Sequence, residues 1–239
     1  MKNILINKKC FITGVTGALG FELARLFAKN KCKLFITGKN NSKLISRFKK
    51  LKFEFPKEKI FFKQCNLGSS KEINLLCNLV LKKLKNVDIV VNCAGIFSIE
   101  NLNRVNPKKF DKIFAVNVKA PIIITKNFIK SMKSNRWGRI INIGSSSSYE
   151  GFEKTALYCS SKHALLGFSR SVYNEYKKYR IRSLIFSPGS IKSKMGRKIK
   201  NQDYKTFLDA KDIAQVILSN VIIDTKLIIP EIIIKRINT

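Results

Sequence analysis

The chain has 239 residues, 45% of them hydrophobic, which is enough to bury one substantial core and too few for two large independent domains. It carries 47 Lys and Arg against 15 Asp and Glu, a formal net charge of +32, so its field favours anionic ligands on approach. No run approaches the ~18 consecutive apolar residues of a membrane span, which excludes an integral helical membrane protein.

Strand-like and helix-like segments alternate from end to end. Lys9–Thr13 reads as a strand and Ala18–Asn30 as its helix. Lys33–Thr37 is a second strand, followed by a helix from Ser42 to Phe53, then a strand at Lys59–Cys65 and a helix at Ser69–Lys85. Val87–Asn92, with Ile89-Val90-Val91 at its centre, reads as a strand buried on both faces. Pro107, with Asn106 as N-cap, opens a long helix reaching Ser134, in which Pro121 should bend or break the pattern. Arg139–Gly144 is a fifth strand running into a serine-rich loop, and Thr155–Tyr179 another long helix. Arg182–Phe186 is a sixth strand, stopped by Ser187, Pro188 and Gly189. Residues 190–207 are polar and irregular, a helix follows over Ala210–Ile222, and Leu227–Ile234 is the last strand, placed by Pro230 on an edge. This alternation predicts the α/β class: a Rossmann-like, doubly wound parallel sheet of about seven strands with helices on both faces, in a single domain over residues 1–239.

The basic residues are spread along the whole chain rather than gathered in one tail or helix, so biased composition explains them better than a nucleic-acid footprint. Met1–Asn7 leads into the first strand without a cleavage site, which predicts a cytoplasmic protein. The six cysteines are scattered without a C-x-x-C pair and read as reduced, buried side chains. With one histidine in the chain, no metal site is expected.

The turn between the first strand and its helix carries Gly14, Gly17 and Gly20. The first permits a tight turn, the second lets backbone approach a phosphate, and the third lets the helix pack on the sheet. The free N–H groups and positive dipole end of the helix then suit a dinucleotide pyrophosphate. An acidic residue at the end of the second strand would hold the ribose 2′-OH of NAD. That place reads Thr37-Gly38-Lys39-Asn40, and a cation there suits the 2′-phosphate of NADP. NADP(H) is therefore the favoured cofactor, with NAD(H) the alternative.

Tyr-x-x-x-Lys occurs twice, at Tyr158/Lys162 and Tyr173/Lys177, and on a helix either pair shares one face. Tyr158 lies near the start of its helix, on the side where parallel strands end and open α/β sheets bind ligands. The Ser145–Ser148 loop leaves its strand on that same side. Lys177 falls among Glu175–Arg180, a charged helix end that reads as solvated surface. His163 points about 100° around the helix from Lys162, toward a neighbouring helix or a subunit interface.

These residues together resemble the short-chain dehydrogenase/reductase family over nearly the whole chain. Thr13-Gly14…Gly17…Gly20 is similar to its cofactor turn, Asn92-Cys93-Ala94-Gly95 to its Asn-Asn-Ala-Gly segment, and Asn117 to its helix asparagine. Ser145, thirteen residues before Tyr158, matches its serine, and Pro188-Gly189-Ser190-Ile191-Lys192-Ser193 its Pro-Gly segment. Departures are Ala18 in the turn, Asn66 for a common Asp, Cys93 for the second Asn, a short stretch after Ser193, and a tail without the usual Gly-Gly.

The resemblance implies an oxidoreductase that moves hydride between a nicotinamide cofactor and a carbonyl or secondary alcohol. Tyr158 would be the general acid/base, Lys162 would lower its pKa, Ser145 would bind the substrate oxygen, and Asn117 would hold a water beyond the lysine. It assigns cofactor contacts to Gly14, Thr16, Gly17, Leu19 and Gly20; to Lys39, Asn66 and Leu67; to Asn92, Ala94 and Gly95; to Tyr158 and Lys162; and to Pro188, Gly189, Ile191 and Ser193. The implied partners are a small carbonyl or alcohol substrate and a second copy of the chain, as homodimer or homotetramer. An alternative is a 3-oxoacyl-[acyl-carrier-protein] reductase, docking an acidic carrier on Arg136, Arg139, Lys177, Lys178 and Arg180. A further alternative is a catalytically silent dinucleotide sensor or nucleic-acid binder, against which the intact Ser145/Tyr158/Lys162/Asn117 set argues.

Overall fold

A computed structural model describes residues 4–199 and 202–237. Seven strands form one all-parallel sheet: β1 (Lys9–Ile12), β2 (Lys33–Gly38), β3 (Ile60–Gln64), β4 (Ile89–Asn92), β5 (Gly138–Ile143), β6 (Ile181–Pro188) and β7 (Glu231–Ile234). Their order is β3-β2-β1-β4-β5-β6-β7, so the winding reverses between β1 and β4. Helices α1 (Ala18–Lys29), α2 (Asn41–Glu54) and α7 (Ala210–Val221) bury Leu23, Phe27, Leu44 and Ile217 against one face. On the other face α3 (Ser70–Leu84), α5 (Ala120–Asn135) and α6 (Ala156–Tyr176) contribute Ile73, Leu76, Phe128 and Val172. β4 and β5 are buried at every position, including the polar Asn92, Arg139 and Asn142 among their apolar residues.

The helix expected over Pro107–Ser134 is three segments. α4 (Pro107–Phe114) starts where predicted, with Asn106 accepting a hydrogen bond from the Lys109 amide at 3.0 Å. A π-helical turn, Ala115–Lys119, then joins α4 to α5. The donor to the Asn117 carbonyl in an unbroken α-helix would be residue 121, and a proline has no N–H to give. The break predicted from Pro121 thus falls one turn earlier. The helix expected over Thr155–Tyr179 ends at Tyr176 and is closed by a short 3₁₀ turn, Lys177–Tyr179, before Arg180 in the left-handed region at φ 58°. β7 is shorter than expected because Pro230 precedes it, although the Pro230 carbonyl still accepts from the Ile185 amide at 2.8 Å. β7 does lie on the sheet edge.

Candidate active site

Gly14 ends β1 at φ +75°, a conformation that favours glycine. A Cβ there would meet the backbone of Ala94 at 2.8 Å, so the turns after β1 and β4 touch directly. Thr13 fastens them further. Its hydroxyl donates to the Val91 carbonyl and accepts from the amides of Cys93 and Ala94, both at 3.1 Å. A Cβ on Gly20 would lie 2.4 Å from the Gly14 carbonyl oxygen, so α1 packs on its own entry turn as the glycine spacing predicted. α2, α3, α4 and α7 are each capped by a side chain, whereas α1 begins at Gly17 with no side-chain cap and leaves its first N–H groups available to a ligand.

A cleft of about 930 Å³ opens over this turn. Among the expected cofactor residues, Gly14, Thr16, Gly17, Lys39, Asn66, Leu67, Ala94 and Gly95 line it. Its opposite wall is the α4 to α5 stretch, including Phe114, Ala115, Val118, Lys119 and Ile122, none of which the sequence singled out. The volume, the glycine floor and the uncapped helix end fit a dinucleotide with a central pyrophosphate. Lys39, exposed beside Gly38, follows the end of β2 and lines the cleft.

The other expected cofactor residues lie outside the cleft. The Leu19 side chain faces the core, so its backbone alone could meet a phosphate. Asn92 is buried and donates to Asn142 Oδ1 at 2.9 Å. Pro188 ends β6, the Gly189 amide donates to the Ile234 carbonyl at 2.9 Å, and Ile191 bridges to Leu208. The Ser193 hydroxyl is engaged within its own loop, accepting from the Gly196 amide at 3.0 Å.

At the end of β5 a short 3₁₀ turn, Ser146–Ser148, presents Ser145, and α6 brings Tyr158 and Lys162 to the same place. Both are buried, Tyr158 at 8% and Lys162 at 5% exposed. The Ser145 hydroxyl lies close enough to the Tyr158 phenol to favour its ionised form. Lys162 Nζ lies 5.7 Å from the Tyr158 ring centroid and donates to the Ile143 carbonyl at 2.7 Å. Phe97 packs edge-on against the Tyr158 ring, 4.8 Å between centroids. Burial pushes the Tyr158 phenol up to about 12, against a lowering by the Ser145 hydroxyl. Burial likewise pulls the Lys162 ammonium down to about 8, with Cys93 opposing. Lys162 lies one helical turn from the phenol, and burial is the largest influence on both groups.

Asn117 is buried on the π turn, and its amide is committed. Nδ2 donates to the Ile96 carbonyl at 2.9 Å and to Ser161 Oγ at 3.0 Å, while Oδ1 accepts from the Ile96 amide at 2.8 Å. Ser161 in turn donates to the Tyr158 carbonyl at 2.8 Å. A Cβ on Gly95 would lie 3.5 Å from Asn117 Oδ1 and 3.8 Å from Lys162 Nζ, so the three residues meet at one point. Both amide hydrogens of Asn117 are spent on protein, which makes its side chain a brace between the post-β4 loop and α6.

The second pair behaves as surface: Lys177 Nζ sits 5.5 Å from the Tyr173 ring centroid near the exposed end of α6. His163 is exposed, with Nδ1 3.0 Å from the Cys159 carbonyl oxygen. The proposed basic dock loses one member. Arg139 is 0% exposed, pairs with Asp224 at 2.7 Å and stacks on Trp137 at 4.3 Å, while Arg136, Lys177, Lys178 and Arg180 remain exposed. Among the described residues no helix is long and apolar enough to cross a membrane.

The family model described as short chain dehydrogenase matches residues 8–204. The 3-oxoacyl-[acyl-carrier-protein] reductase FabG of Rickettsia typhi is 36% identical over 195 residues, covering 82% of this chain and 77% of that protein. Nodulation protein G of a Rhizobium species is 29% identical, covering 86% and 82%. Among solved structures, a metagenomic short-chain oxidoreductase in complex with NADP superposes with a TM-score of 0.86 at 23% identity, over 98% of this chain and 99% of that one.

Proposed function

The chain belongs to the short-chain dehydrogenase family and is an oxidoreductase acting on CH–OH or carbonyl groups; on that premise we propose that it is an NADPH-dependent carbonyl reductase with Tyr158 as proton donor. The observation that carries this reading is the convergence of Ser145, Tyr158 and Lys162 at the end of β5, beside the cleft floored by Gly14 and Gly95. Bound nicotinamide would supply the hydride. The chain's own residues do the rest. The uncapped α1 terminus and the glycine turn hold the pyrophosphate, and Lys39 favours a 2′-phosphate.

Ser145 donates a hydrogen bond to the substrate oxygen, and Tyr158, held fully protonated by burial, gives its proton to that oxygen as charge builds there. Lys162, one turn along α6, stabilises the resulting phenolate and passes a proton back to it. Asn117 braces the floor of the site through Ile96 and Ser161. At neutral pH the buried phenol is protonated, the form that can donate to a carbonyl oxygen.

A second reading is favoured by the Rickettsia relatives: that the carbonyl belongs to a 3-oxoacyl thioester, delivered by an acidic carrier to Arg136, Lys177, Lys178 and Arg180. NADPH oxidation measured against a panel of simple ketones, aldehydes, acetoacetyl-CoA and acetoacetyl-carrier thioester tests both. No turnover on any member refutes the reductase, and turnover of simple carbonyls alone refutes the thioester.

A further inference from the structure

The Ser145 hydroxyl accepts from the Ser147 amide at 3.2 Å, so its aim depends on the turn that carries it. That turn is weakly specified by its own sequence. Serine hydroxyls compete for neighbouring backbone N–H groups, and four in a row support more than one pattern. Here Ser148 Oγ accepts from the Ser145 amide at 3.2 Å, and the Tyr149 amide closes the turn on the Ser146 carbonyl at 3.1 Å. Tyr149 is the first residue of the run with a long side chain. Its ring packs against the buried cluster of Leu165, Leu166 and Ile185.

Its hydroxyl donates to Glu231 Oε2 at 2.9 Å, at the first position of β7. Glu231 is gripped by Arg170 of α6, Nε to Oε1 at 2.6 Å and NH2 to Oε2 at 3.0 Å. We propose that Tyr149, anchored through Glu231 to Arg170, is a positioning residue that sets the aim of the Ser145 hydroxyl. Tyr149 thus points its hydroxyl at β7. The Arg170 side chain is 56% exposed, so the ion pair alone adds little stability and its consequence is geometric. Burial and the carboxylate push the Tyr149 phenol up to about 12, and Arg170 holds Glu231 below the usual carboxylate range, so donor and acceptor keep their forms around neutrality.

The proposal rests on Ser145 binding the substrate oxygen, and a double-mutant cycle in the full chain separates the two, with NADPH and the best-reduced member of the ketone, aldehyde and thioester panel above as probes. Tyr149→Phe should lower kcat about tenfold while the KM for NADPH stays within about twofold. Ser145→Ala should lower kcat about a hundredfold, and adding Tyr149→Phe to it should cost at most about a further twofold. Glu231→Gln, which keeps an oxygen for the phenol, should retain more activity than Glu231→Ala.

Unchanged kcat in Tyr149→Phe overturns the proposal, and so does a further tenfold loss on the Ser145→Ala background, which would mean an effect exerted elsewhere. Full turnover in Ser145→Ala overturns the reading of the site itself, as does an inactive wild type, and the proposal falls with it. If Tyr149→Phe unfolds, Arg170→Gln takes its place in the same cycle with the same expectations.

Discussion

Replacing Lys162 with methionine should abolish turnover and yet make the cofactor-free protein more stable at neutral pH. Burial draws this ammonium from its ordinary 10.5 down to about 8, which corresponds to about 3 kcal/mol of penalty for holding the charge in the folded state. Methionine fills a similar volume without charge, but it leaves the Ile143 carbonyl without its 2.7 Å donor, at a cost of about 1 kcal/mol. The net gain at pH 7 is about 2 kcal/mol.

The sign of the pH dependence follows from the direction of the displacement. Below pH 8 the lysine is charged in both the folded and the unfolded chain, and the full penalty applies. Between 8 and 10.5 the folded chain binds fewer protons than the unfolded one, so wild-type stability rises with pH. Above 10.5 both are neutral and the penalty is gone. Urea unfolding of wild type and Lys162→Met, run in parallel from pH 6 to 10.5 without cofactor, reads this as a difference in which Tyr158 and the cysteines largely cancel. A variant less stable than wild type at pH 7, or a difference that stays constant across the window, would refute the reasoning.

Tyr158→Phe should reduce turnover by roughly a thousandfold while NADPH affinity by fluorescence titration stays within about twofold; an active variant removes Tyr158 from the chemistry. Lys39→Asp should weaken NADPH binding about tenfold or more and shift the preference toward NADH, and equal affinities before and after the change would dismiss the 2′-phosphate contact. Gly14→Ala forces a left-handed φ and a 2.8 Å contact with Ala94, so it should cost about 2 kcal/mol or more in thermal melts and weaken NADPH binding, whereas a melting temperature like wild type would contradict the close approach. Light scattering should report a dimer or tetramer, and a monomer would exclude the inferred assembly.

Much of this architecture is legible in the sequence because the signals are local. The 3.6-residue and two-residue periodicities, the cap at Asn106 and the glycine spacing each act within a few residues of themselves. The glycine turn and the Ser145/Tyr158/Lys162 set could be placed for the same reason, since parallel strands deliver their ends to one edge. What the sequence left unread lies far apart along the chain. Thr13 clasps Cys93 and Ala94 across some 80 positions, and Tyr149 reaches Glu231 across 82. Arg139 looked like surface by residue type, and only the Asp224, Trp137 and backbone groups around it show how an arginine can be fully buried. Pro121 announced a break but not that the slack would be taken up as a π turn beneath Asn117.

The seam between β1 and β4 has a further consequence, for how the molecule is made. Its residues are far apart in sequence, so neither half of the glycine floor exists until a long loop has closed, an entropically slow event that parallel sheets cannot avoid. The floor of the cleft should therefore form late on refolding and be lost early when the seam opens. A ligand that bridges the Gly14 and Ala94 turns would act as a clasp on that closure. Added dinucleotide should slow unfolding and protect the β1 and β4 amides from hydrogen exchange more than those of the β3 edge.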